Sequence, residues 1–104
     1  MKKSFIEGPI PADKIAISIA HHKHKTNIGA HDIFLGQVRE DLIGNLSVIS
    51  IDFEAQEELS EKTIYEIREE AFANFSLNCL HIYHSLQNVP VGDLCFYVFA
   101  SAPH

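Results

Sequence analysis

Arg39 is the side chain whose type and position most strongly suggest binding chemistry. It closes an apolar stretch, within GQVRED at 36–41, in a chain with few basic residues. The planar fork of a guanidinium matches a phosphate or carboxylate with two hydrogen bonds, so this position suits an anion clamp. A snorkelling surface arginine is the commoner alternative. Gly36, inside the apolar stretch, predicts a β-bulge or a close backbone approach.

Three histidines stand together in HHKH at 21–24. His21 and His24 can share a helix face and bind Zn²⁺ or Ni²⁺ weakly. No carboxylate or cysteine near them in sequence completes a ligand set, so we expect a solvated helix end and no metal site. His81 and His84 fall on opposite faces of a strand, and they therefore do not form a pair.

The two cysteines, Cys79 and Cys95, each lie in an apolar run. Small secreted scaffolds usually carry more cysteines, so we expect two free, structural thiols in a reducing compartment. If residue 84 faced residue 92 across a hairpin, the cysteines would be diagonal neighbours, which suits a disulfide poorly. The Walker loop, GxGxxG, CxxC and GxSxG are all absent, so the common short catalytic motifs give no guidance.

Two helices and at least four strands must position these residues. Apolar spacings of three and four predict helices over 12–25, with Asp13 as N-cap, and over 57–75. The segment 40–46 reads as a turn or mobile loop. Strands are predicted at 30–38, 47–54, 77–84 and 93–100, the last two forming a hairpin. This order predicts one α+β domain over 1–104, with helices packed on a mainly antiparallel sheet.

Charge and hydropathy exclude several classes of protein. The 104 residues carry a net charge of −6, which disfavours binding to a nucleic-acid backbone. No apolar run approaches the roughly 20 residues of a membrane helix. No apolar stretch follows the basic start of the chain, so no signal peptide is expected. These features predict a soluble, cytoplasmic protein without nucleic-acid or membrane partners.

Six short segments spread over almost the whole chain form a further pattern. They are GPIP at 8–11, GAHDIFLGQVR at 29–39, LSEKTIYEI at 59–67, IYHSL at 82–86, VPVGD at 89–93 and ASAPH at 100–104. None is specific alone, but their order and spacing resemble the catalytic (large) subunit family of molybdopterin synthase. The resemblance implies an α/β-hammerhead-like fold. The sequence departs from the family at Ser85, where an Arg is usual, at Gln87, where a Gly is usual, and at Gln37, where a Lys is common.

The resemblance implies an enzyme of molybdenum cofactor biosynthesis. Such a sulfurtransferase makes molybdopterin from cyclic pyranopterin monophosphate, taking sulfur from the thiocarboxylated tail of a ubiquitin-like small subunit. The large subunit would form a homodimer with one small subunit at each end, and no cofactor is implied. By resemblance, Gln37, Val38, Arg39 and His104 border the substrate pocket. Arg39 would clamp the phosphate, and His104 would bind substrate and exchange protons as a catalytic residue.

The family pattern continues beyond the position of His104. An Arg, a helix and a segment similar to P-x-W-K-K-E follow in the family, and its lysines carry the chemistry. Because the sequence stops at His104, we expect this 104-residue chain to be inactive alone. The alternatives are a non-catalytic dimeric scaffold that binds the small subunit, and an unrelated α+β module that binds metal through 21–24.

Overall fold

Strands dominate the computed structural model, which describes residues 4–104. A 3₁₀ turn over His22–His24 follows the first helix. In chain order the elements are β1 (Phe5–Glu7), α1 (Asp13–His21), β2 (Ala30–Gln37), β3 (Leu42–Ile43), β4 (Leu46–Ser47), β5 (Ser50–Phe53), α2 (Glu57–Asn74), β6 (Cys79–Pro90) and β7 (Leu94–Ala102). The basic start of the chain, at residues 1–3, lies outside the described part.

The sheet is built around β6 and β7. Its strand order is β1-β6-β7-β2, and β5 pairs with the later half of β6. The β1–β6 pair is parallel, whereas β2–β7, β5–β6 and β6–β7 are antiparallel. The prediction of an α+β fold with a mainly antiparallel sheet is therefore confirmed.

The β6–β7 register differs from the expected one. His84 faces Phe96, not residue 92, and Cys79 faces Ser101. The expected hairpin loop was wrong because β6 continues to Pro90, where it pairs with β5, and the turn is confined to 91–93. The cysteines are thus not diagonal neighbours. Both thiols are free, as predicted.

The core lies on the face of the sheet that carries the odd-numbered residues of β7. Ile10, Tyr97 and Phe99 are fully buried there, and Ile15 of α1 packs against them. Tyr83 of β6 stacks on Tyr97, with ring centroids 5.7 Å apart. Burial raises the pKa of both tyrosines, so they stay neutral at physiological pH and behave as core aromatics.

The opposite face carries a row of rings that we call the aromatic row: Phe34, Phe96, His84 and Phe53. Consecutive ring centroids in this row are 5.8, 5.6 and 5.0 Å apart. Phe34 remains 60% exposed. One face of the sheet is therefore covered, and the other keeps an accessible apolar stripe.

The helix ends depart from the predictions in detail. Asp13 is not the N-cap of α1: the cap is Ala12, whose backbone is already helical. The turn forms one residue early because Pro11 accepts from the N–H of Lys14, and the fixed φ of proline suits a helix start. The predicted second helix is confirmed as α2, capped by the Gln56 side chain. Over the described residues, neither helix combines the length and apolarity needed to cross a membrane.

The segment predicted as a turn or mobile loop contains a small hairpin. β3 and β4 pair antiparallel around Gly44, whose φ is +64°. The side chains of Leu42 and Leu46 are more than 70% exposed. The hairpin is consequently a projecting arm with an apolar surface.

Candidate functional site

Val38 fixes the backbone immediately before Arg39. A register shift occurs between Gly36 and Gln37, which confirms the expected bulge. Val38 is buried, its N–H donates to the Asp93 carbonyl, and its own carbonyl accepts from Gly92. Val38 therefore holds this backbone in place, and its predicted place at the substrate pocket stays a prediction. Gln37 is exposed on the last position of β2.

Arg39 itself points into solvent. Its side chain is 83% exposed and forms a bidentate pair with Asp41, at 2.6 Å from Nε to Oδ1 and 3.3 Å from Nη2 to Oδ2. An exposed pair of this kind contributes about 0–1 kcal/mol. A competing anion can therefore displace Asp41 at little cost, and the guanidinium is available as a clamp.

His104 follows β7 at the far end of the sheet. It is exposed, and the backbone before it passes directly over Gly29. The N–H of Gly29 donates to the Ala102 carbonyl at 2.9 Å. A Cβ atom at position 29 would overlap the carbonyl oxygen of Pro103. The absence of a side chain at Gly29 thus sets the path of the segment that carries His104.

One copy of the chain does not bring Arg39 and His104 together. Antiparallel pairing places Ala30 opposite Ala102 and Gln37 opposite Leu94. The seven steps from residue 30 to residue 37 correspond to about 23 Å of strand. The shared substrate pocket of Gln37, Val38, Arg39 and His104 stays a prediction. In one copy, the first three residues and His104 lie at opposite ends of the β2–β7 pair.

The two departures in β6 have visible structural consequences. Gln87 has φ +67°, a left-handed conformation that glycine adopts without penalty. Ser85 is completely buried, and its Oγ finds no hydrogen-bond partner among the described residues. The backbone geometry thus explains why a glycine suits position 87.

Sequence reasoning missed a cluster at the His104 end of the sheet. His22, Cys79 and His81 offer ligand atoms that all lie within 4.8 Å of one another. Lys25 Nζ donates to Cys79 Sγ at 3.0 Å. Because strand residues alternate between faces, the sequence could have predicted that Cys79 and His81 lie on the same face. Nothing in the sequence predicts that His22, rather than His21 or His24, faces them.

Comparison with known proteins identifies the family. The sequence model described as "MoaE protein" matches residues 7–104. The chain is 36% identical over 94 residues to the molybdopterin synthase catalytic subunit of Drosophila virilis, covering 88% of this chain and 27% of that protein. It is 32% identical over 83 residues to the same subunit of Emericella nidulans, covering 80% and 42%. The chain thus spans less than half the length of these relatives.

Solved structures share the fold. A complex of subunits 1 and 2 of the molybdopterin-converting factor from Helicobacter pylori matches with a TM-score of 0.81 at 20% identity, over 97% of this chain and 65% of that one. A molybdopterin synthase from Staphylococcus aureus matches with a TM-score of 0.80 at 22% identity, over 100% and 73%. Because the sequence match runs from residue 7 to residue 104 and the same fold recurs in these structures, the chain belongs to the MoaE protein family.

Proposed function

We propose that the chain is a single domain that supplies the fold and the anion-binding strand end of a molybdopterin synthase catalytic subunit. The observation that carries the proposal is the family match over residues 7–104, which includes both Arg39 and His104. The reaction is a transfer of sulfur from a thiocarboxylated small subunit to cyclic pyranopterin monophosphate. Synthesis of molybdopterin would place the protein in the cytoplasm.

The chemistry needs a held phosphate and a positioned sulfur donor. An anionic substrate requires an available cation. The exposed Arg39 meets that need, since Asp41 is the only side chain among residues 4–104 that pairs with its guanidinium. His104 would be the group that exchanges protons beside the reacting carbon. Orientation of the two reactants then lowers the barrier by proximity.

The separation of these residues supports a homodimer. Arg39 and His104 follow opposite ends of the β2–β7 pair, whose length is about 23 Å. In a homodimer, one copy could supply the arginine and its partner the histidine to the same substrate. The relative from Helicobacter pylori is a complex of two different subunits, which supports a small sulfur-carrier subunit as the second partner.

The test compares two proteins in one assay. The first is the 104-residue chain, and the second is the same chain joined to the segment that follows the matched region in the Staphylococcus aureus enzyme. Thiocarboxylated small subunit and cyclic pyranopterin monophosphate are supplied to both, and molybdopterin is measured. We expect product only from the extended chain, because loss of even one transition-state donor costs about 10²–10³ in rate.

The outcomes separate the alternatives. Equal product from both chains would contradict the assignment of the chemistry to the added segment. Binding of the small subunit without product from the extended chain would favour the non-catalytic scaffold. Failure of both proteins to bind the small subunit would reject the synthase proposal.

A further inference from the structure

The cluster at the His104 end of the sheet joins two elements of the fold. His22 lies in the 3₁₀ turn after α1, and Cys79 and His81 lie on one face of β6. Cys79 is 5% exposed and His22 9% exposed. The sequence separates His22 from Cys79 by more than fifty residues, so only the folded sheet assembles this set of nitrogen and sulfur ligands.

The hydrogen bonding of His22 fixes its tautomer. Its Nδ1 lies 2.7 Å from the carbonyl oxygen of Ser18. A carbonyl can only accept, so Nδ1 carries the hydrogen and donates, and in the neutral ring the lone pair is on Nε2. That Nε2 faces Nε2 of His81 at 3.3 Å. A backbone carbonyl that orients the far nitrogen of a histidine is the usual outer-shell partner of a metal ligand.

The distances suit one small ion. Two imidazole nitrogens on a tetrahedral Zn²⁺, each at about 2.0–2.1 Å, are separated by about 3.3 Å. The observed separation of the two Nε2 atoms, from His22 and His81, agrees with that nitrogen–nitrogen distance. A nitrogen and a thiolate on the same ion are separated by about 3.6 Å, within the 4.8 Å that encloses all three ligand atoms. A hydrogen bond between the two imidazoles also explains the Nε2–Nε2 distance of 3.3 Å. It does not account for the Cys79 thiol beside the same two nitrogens.

We propose that His22, Cys79 and His81 form a binding site for a borderline-soft divalent transition-metal ion, of which Zn²⁺ fits best. On binding, the Cys79 thiol releases its proton to solvent and the Zn–S bond forms. Lys25 Nζ, now 3.0 Å from Sγ, becomes the charged outer-shell partner of the thiolate. The ion ties the end of α1 to β6.

Three protein ligands leave one position of a tetrahedral ion for water. His31, Ser101 and Cys79 occupy one row across β2, β7 and β6. His31 Nδ1 lies 2.7 Å from Ser101 Oγ, and His31 is exposed at the end of that row. The site does not depend on the proposed synthase chemistry. It also differs from the metal-binding pair of His21 and His24 considered in the sequence analysis, because neither of those residues is a ligand here.

Cobalt spectroscopy tests the proposal on the unmodified, reduced chain. Co²⁺ should bind with one ion per chain, with intense visible bands of a tetrahedral site and a thiolate-to-metal charge-transfer band in the near ultraviolet. Zn²⁺ should abolish both. A wild-type spectrum without the charge-transfer band would overturn the proposal, and this measurement does not depend on any variant folding.

Matched variants locate the site. Cys79→Ser should remove the charge-transfer band, and His81→Gln should weaken Zn²⁺ binding by more than the roughly 10–100-fold cost of losing an outer-shell partner. Cys95→Ser and the double variant His21→Gln/His24→Gln should keep both the spectrum and the affinity. Circular dichroism checks that each variant is folded. Retention of the band in folded Cys79→Ser, or loss of affinity in folded His21→Gln/His24→Gln, would overturn the assignment.

Discussion

At the scale of single residues, Gln87 stands where the family usually has a glycine, and its backbone conformation is one that favours glycine. Its φ of +67° is the left-handed conformation, which costs a residue with a Cβ about 1–2 kcal/mol. The family's glycine would avoid that cost. The departure at position 87 is visible in the sequence, and the structure shows that it places a residue with a Cβ atom in a left-handed conformation.

Gln87→Gly should therefore stabilise the protein. We expect the free energy of unfolding to rise by about 1 kcal/mol, since glycine adopts positive φ without strain. Urea denaturation followed by circular dichroism measures it. Gln87→Ala is the control, because alanine keeps the steric penalty and should give no gain. A glycine variant no more stable than the alanine variant would show that the conformation carries no strain.

Arg39 carries the second prediction at this scale. In a chain extended to the family's full length, Arg39→Ala should weaken binding of the pyranopterin substrate by about 10- to 150-fold. A hydrogen bond to a charged group contributes about 1.5–3 kcal/mol. Asp41→Asn is the matched control: it removes the competing carboxylate 2.6 Å from Nε and should leave binding equal or tighter. Unchanged substrate affinity in Arg39→Ala would contradict the proposed role of Arg39 in binding the anionic substrate.

At the scale of elements, periodicity predicted most of the fold. The apolar spacing that predicted a helix over 57–75 corresponds to α2 at Glu57–Asn74, and the strand expected at 30–38 is β2 at Ala30–Gln37. The register of β6 and β7 was not predictable from local pattern. Proline and glycine between the two runs suggested a long loop, yet β5 pairs with β6 up to Pro90 and extends the strand. Pairing between distant segments, which no local signal encodes, decided that register.

The same limit applies to the candidate sites. Strand alternation could have predicted that residues 79 and 81 share a face, but the approach of His22 depends on how the 3₁₀ turn packs. The separation of Arg39 from His104 likewise follows from antiparallel pairing. Resemblance brought those two residues into one site, whereas topology placed them at opposite ends of a strand pair.

Gly29 provides the prediction at the element scale. Gly29→Ala should displace the 102–104 segment and lower the free energy of unfolding by about 1–3 kcal/mol, the usual cost of overpacking. The new Cβ would overlap the Pro103 carbonyl oxygen, which is backbone and cannot rotate away. Thermal denaturation and the NMR signals of the His104 ring measure the two effects. The neighbouring exposed Ala30→Ser serves as control, and equal stability of both variants would contradict the close approach.

At the scale of the whole molecule, the shape is extended. The Cα radius of gyration is 15.6 Å and the longest dimension 51 Å, whereas a compact chain of this length has a radius of gyration of about 13 Å. On the uncovered face of the sheet, Phe34 of the aromatic row is 60% exposed, and Phe53, His84 and Phe96 are half-buried. Exposed apolar patches of this kind mark interaction surfaces in soluble proteins.

The 104-residue chain should therefore self-associate through this face. We expect sedimentation velocity to show oligomers that increase with protein concentration, and Phe34→Ser to shift the distribution toward monomer. Leu59→Ser is the control, since Leu59 is 62% exposed but lies on α2. A distribution that Phe34→Ser leaves unchanged, or that Leu59→Ser changes equally, would show that the aromatic row is not the contact surface.

The pairing of β1 with β6 also constrains when the protein can fold. Phe5 faces His84, 79 residues later (84 − 5), and Ala30 faces Ala102, 72 residues later (102 − 30). Closing such long loops carries an entropic cost before any contact offsets it, and folds dominated by distant pairings form slowly. During synthesis on the ribosome, β1 and β2 emerge long before their partners. The backbone N–H and C=O groups of both strands therefore stay unpaired until β6 and β7 leave the exit tunnel. During this interval the nascent chain most needs protection from aggregation.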